Sequence, residues 1–187
     1  MSAADFAAAV KVQAIAPGTL RALHAAIKAR LSEVVAPLWL LETRTGNRAP
    51  IIGDGWLAPK MAPPAPAQST PPNPPATPSA AEQFPFVLVR PRTGVDSVQG
   101  GDQNATAVVE LLIGAYHDTD DGWLDVLDVI QAIRQSLAES PTLAGTPFEQ
   151  TGPLSWELVA EQPRPQWFGT VTTSWTIPRP RRVEAPA

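Results

Sequence analysis

Residues 167–177 read Trp-Phe-Gly-Thr-Val-Thr-Thr-Ser-Trp-Thr-Ile. In an extended chain Trp167, Gly169, Val171, Thr173 and Trp175 fall on one side, and Phe168, Thr170, Thr172, Ser174 and Thr176 on the other. That period of two predicts a strand with one buried face. Upstream, residues 154–159 hold Trp156 in a second strand pattern. Residues 123–139 have the period of a helix instead. Trp123, Leu127, Ile130, Ile133 and Leu137 make a stripe widened by Leu124, Val126 and Val129, while Asp125, Asp128, Gln131 and Gln135 lie elsewhere. Aspartates near the start suit the helix macrodipole, and Pro141 marks the end. Earlier still, residues 84–90 (FPFVLVR) form a continuous apolar run suited to a central strand, and residues 105–116 (ATAVVELLIGAY) make another long strand. The Gly- and Asp-rich residues 93–103 between them read as a loop.

The N-terminal third is more helical. Leu20, Leu23, Ile27 and Leu31 recur at helical spacing over residues 20–33, with Thr19 as N-cap after Pro17-Gly18. An Ala-rich piece at 3–14 is a weaker helix, residues 38–43 suit a short strand, and turns are expected around Gly46 and at residues 53–56. Nine of the twenty residues from Pro59 to Pro78 are proline. Proline lacks the backbone donor and fixes φ, so residues 59–83 are expected to form an extended loop rather than helix or sheet. The order of elements predicts one α+β domain over residues 1–187, with peripheral arms at 1–17 and 179–187. Its sheet has four to five strands, antiparallel or mixed, and two main helices on one face.

Composition excludes much chemistry. The 187 residues contain no cysteine and two histidines, His24 and His117, so thiolate metal sites, disulfides and thiol nucleophiles are excluded. Nucleotide-binding glycine loops, nucleophile elbows and zinc-helix motifs are missing, and no catalytic residue or cofactor is expected. The one concentration of reactive groups is Asp118, Asp120 and Asp121 ahead of the second helix. These aspartates suit capping and the macrodipole, with a divalent-ion site as the alternative. His24 reads as a packed surface residue and His117 as a loop residue. Trp39, Trp156 and Trp175 are expected in the core, and Trp167 partly exposed.

The net charge is −4 but is unevenly spread. Residues 1–92 carry nine basic and five acidic side chains, residues 93–162 one basic and twelve acidic, and residues 163–187 four arginines and one glutamate. Such a pattern suits contact between complementary faces of copies or partners. Arg90, Arg92, Trp167, Arg179, Arg181 and Arg182 are the candidate contact residues. No apolar run is long enough for a membrane-spanning helix, and a soluble chain made in the cytoplasm is expected.

Several segments resemble, in order, those of the tail terminator family, minor tail proteins of long-tailed phages. They are residues 55–60 (GWLAPK), 84–90 (FPFVLVR), 107–116 (AVVELLIGAY), 121–127 (DGWLDVL), 153–158 (PLSWEL) and 165–170 (PQWFGT). The proline-rich loop departs from the family, whose members are usually short and acidic there. The resemblance implies a structural virion protein at the tail–neck junction. It would form a homohexameric ring that caps the tail tube, ends growth of the major tail tube protein and joins the head–tail connector or stopper. DNA would pass through the lumen without sequence-specific binding. A connector or stopper on the head side is the nearest alternative, and a small divalent-metal enzyme using Asp118, Asp120 and Asp121 a more distant one.

Overall fold

A computed structural model describes residues 18–38, 48–55, 84–96 and 104–178. The expected helix at 3–14, Trp39, nearly all of the strand expected at 38–43, the turn at Gly46, the proline-rich loop, the end of the 93–103 loop, both arms, and Arg179, Arg181 and Arg182 lie outside these residues.

The elements are α1 (Leu20–Val35), β1 (Ile51–Asp54), β2 (Phe86–Asp96), β3 (Asn104–Tyr116), α2 (Gly122–Glu139), β4 (Glu149–Leu158) and β5 (Gln166–Pro178). They form the expected α+β fold around one five-stranded sheet of order β1-β2-β3-β5-β4. β1 runs parallel to β2 and the other neighbours are antiparallel, so the sheet is mixed. Both helices pack into one core with Val87 and Val89 of β2, Val109 and Leu111 of β3 and Val171 and Trp175 of β5. α1 lies over the β1–β2 end, and α2 over β3, β5 and β4. Arg30 ties them together: its Nε donates to Ser136 Oγ at 2.8 Å and its Nη2 to the Ser136 carbonyl at 3.2 Å.

Local chemistry explains the element boundaries. Thr19 caps α1 as its sequence predicts, its hydroxyl accepting from the Ala22 N–H at 3.2 Å. The buried residues of α1 are Leu23, Ile27, Leu31 and Val35, while Leu20, expected in that stripe, is exposed. β5 alternates along its whole length, with Trp167, Gly169, Val171, Thr173, Trp175 and Ile177 inside. The apolar run of β2 is continuous because its first four residues are buried on both sides of the sheet. Val87 and Val89 meet the helices. Phe86 and Leu88 join Phe84, Leu112 and Tyr116 in a second cluster, against which Phe168 packs. Gly114 sits opposite Phe86, where a Cβ would come within 2.4 Å of the ring.

Four expectations are corrected. Residues 93–96, read as loop, extend β2, because Thr93–Asp96 pair with β3 past a bulge after Pro91. A strand, β1, stands at Ile51–Asp54, where a turn was expected from Gly53 onward. β4 starts at Glu149, five residues early, with a register shift between Thr151 and Ser155 that accommodates Gly152 and Pro153.

The fourth concerns the face of α2. Its buried residues are Gly122, Val126, Val129, Ile130, Ile133, Ser136 and Leu137, and Trp123 and Leu124 are exposed. Two glycines set that rotation. A Cβ on Gly122 would lie 2.3 Å from the Trp167 ring, and one on Gly169 would lie 2.7 Å from Val126. Gly122 therefore faces inward, and residues 126, 129, 133 and 137 follow it at helical spacing.

Candidate interaction surfaces

The aspartate-rich turn before α2 is tied to the start of β5. The Trp167 indole N–H donates to the His117 carbonyl at 3.2 Å, and the His117 N–H donates to the Pro165 carbonyl at 2.9 Å. Arg164 pairs with Asp120 and lies over the Trp167 ring, 5.6 Å from its centroid. Thr119 shares a 2.7 Å hydrogen bond with His117 Nδ1. Two segments more than forty residues apart thus meet around one indole. Trp167, expected to be partly exposed, is 5% exposed, and its ring is an internal anchor rather than a contact surface.

Asp118, Asp120 and Asp121 are exposed, and among the described residues no three acidic or histidine side chains gather in a way that could hold a metal ion. Asp121 takes the N-cap position of α2 without a side-chain cap bond. The first-turn carboxylate is Asp125, half-buried, with Oδ2 shielded from water and without a hydrogen-bond partner. Burial pushes its carboxyl above the usual range, His117 opposes that shift and Asp128 adds to it.

At the other end of the sheet, Asp54 at the end of β1 receives Lys28 Nζ at 2.6 Å and His24 Nε2 at 3.4 Å, both from α1. The Lys28 hydrogen bond is the chief cause holding the Asp54 carboxyl below its ordinary value. His24 is thus a half-buried surface residue, as its sequence position suggests.

The two candidate arginines of β2 are both engaged. Arg90 is largely buried; its Nε donates to the Gly55 carbonyl at 2.8 Å and its Nη1 to Glu110 at 3.3 Å. Arg92 is more exposed and reaches Glu110 at 3.7 Å. They belong to an ion-pair cluster on the sheet face away from the helices, next to the Phe86 cluster.

Sequence reasoning missed the exposed aromatic and aliphatic groups at the β4–α2 end: Trp123, Leu124, Trp156 and Val159. Trp156, expected in the core, is 45% exposed. A signal was available in Gly152-Pro153, since proline inside a strand marks an edge. Between α2 and β4 runs an open groove of about 440 Å³ bordered by Gln131, Gln135, Ala138, Gln150 and Leu154.

The sequence matches no known family model and no curated protein.

Proposed function

We propose that this chain is a structural virion protein, a tail terminator whose ring caps the tail tube and joins it to the head–tail connector. One observation carries the reading. The resembling segments follow the family order along β2, β3, the start of α2, β4 and β5, and two of them, 121–127 and 165–170, meet at the Gly122–Trp167 contact. The contact gives a physical reason for both patterns: the glycine opens the space that the indole fills.

In this reading the partners are further copies of the chain, the major tail tube protein and the connector or stopper. DNA passes through the lumen, and the protein resides at the tail–neck junction. Arg179, Arg181 and Arg182 are candidates for contact with a neighbour or the tube. Loss of the gene in its phage is expected to give tails of uncontrolled length that do not join heads, with normal tails restored by the gene in trans. Tails of normal length without it would overturn the reading. Finished tails with unsealed heads would point instead to a stopper on the head side.

A further inference from the structure

The two ends of the sheet differ in charge and in chemistry. The α2–β4 end, residues 118–164, carries nine acidic side chains and two basic, Arg134 and Arg164, the latter paired with Asp120. The α1–β1–β2 end, counted over residues 18–38, 48–55 and 84–96 together with Glu110 of β3, which pairs with Arg90 and Arg92, carries six basic and four acidic side chains. They are opposite ends of one five-stranded sheet. Each is also an open strand edge. On its outer side β4 is covered only at its start, where Glu149 bridges Thr142 and the Gln150 N–H donates to the Pro141 carbonyl, and β1 covers β2 only as far as Val89, so among the described residues no strand lies along the outer edge from Arg90 to Asp96. Each end exposes apolar side chains: Leu124, Trp156 and Val159 at the acidic end, and Leu20, Ile51 and Val95 at the basic end.

We infer that a second copy of this chain occupies these surfaces, the acidic α2–β4 end of one copy docking on the basic α1–β1–β2 end of the next. Charge complementarity selects that occupant. The acidic end repels its own kind, which disfavours a two-fold dimer through it, and attracts the other end of an identical molecule. Unpaired strand edges supply backbone donors and acceptors, and the exposed apolar groups supply area removed from water. Two different surfaces on one protomer make a head-to-tail contact, which closes into a ring when the rotation allows. The inference deepens the ring reading above by naming the faces that meet.

The test is sedimentation velocity on the full chain and on two charge-altered variants. Glu157 and Glu161 are exposed at the acidic end, and Arg21 and Ala25 are exposed on α1 at the basic end. Glu157→Lys with Glu161→Lys makes one variant, and Arg21→Glu with Ala25→Glu the other. The wild-type chain is expected to associate, less at high salt. Each variant alone should associate about tenfold more weakly. An equimolar mixture should recover part of the wild-type association, because the lysines introduced in one variant then face the glutamates introduced in the other. Circular dichroism is the check that both variants fold.

Variants that assemble like the wild type, a mixture that stays dissociated, or a wild-type chain that is monomeric or a closed two-fold dimer would each overturn the surface pair. If wild-type rings form and ignore the substitutions, ring formation stands and only this pair of faces falls. Tail length in the phage judges the terminator reading separately.

Discussion

β4 and β5 run side by side, and each carries a tryptophan on the helix-facing side of the sheet. Trp175 of β5 is 2% exposed, with its indole N–H donating to Thr173 Oγ1 at 2.9 Å, and that hydroxyl donates to the Val109 carbonyl at 3.2 Å. Trp156 of β4 pairs in register with the buried Val171, yet is 45% exposed. Residue type and face are the same. Helix α2 reaches over both strands, and what differs is position: β5 has strands on both sides, whereas β4 has a strand on one side and a bulge at Gly152-Pro153. Strands on both sides bury an indole, and alternation alone does not.

Substitutions can break or sharpen that contrast. The largest effect is expected at Trp175→Ala, which empties an enclosed space and removes the indole hydrogen bond to Thr173 Oγ1. It should lower unfolding free energy by about 3–5 kcal/mol in urea, and a loss under about 1 kcal/mol would mean that the interior of β5 is no better packed than the edge. Ile130→Ala, on the face of α2 over Gly169, should cost about 2–5 kcal/mol. An unchanged midpoint would reverse the assigned rotation of α2.

Gly169→Ala tests the close approach itself. The added methyl meets Val126 and the Glu157 carbonyl, and a loss of about 1–3 kcal/mol is expected. Stabilisation instead would show that α2 has room to move away from β5.

A smaller, pH-dependent effect belongs to the first turn of α2. Asp125 has its carboxyl raised above the ordinary 3.8 by burial, so the native state holds that proton more tightly than the unfolded chain. Ionisation therefore costs stability as pH rises through and beyond that range, and the cost is absent in more acidic solution. Asp125→Asn should raise the melting temperature at pH 7, with the gain vanishing at acidic pH. An equal gain at both would assign it to something other than ionisation. The smallest effect is expected at Trp156→Ala, within about 0.5 kcal/mol for the isolated chain. A loss comparable to that at Trp175 would abolish the distinction between edge and interior.

Local periodicity determined much on its own. The period-two run of β5, the continuous apolar start of β2, the stripe and Thr19 cap of α1 and the existence of α2 were all legible, because each depends on neighbours a few residues apart. The absence of cysteine and of nucleotide-binding motifs was also a property of the sequence alone. Tertiary structure decided what depends on distant neighbours. The rotation of α2 was ambiguous, since Trp123, Leu124 and Leu127 are as apolar as the residues that are buried. The close fits at Gly122 and Gly169 decided it. Trp167 was misread because its cover comes from His117, Gly122 and Arg164, none of them near it in sequence except Arg164. The basic and acidic segments could be counted in the sequence, but their placement at opposite ends of one sheet follows from the order β1-β2-β3-β5-β4, which inserts β5 between β3 and β4. Strand order is a matter of long-range pairing. It brings residues from separate stretches of chain onto one edge and sets which charges face a neighbour.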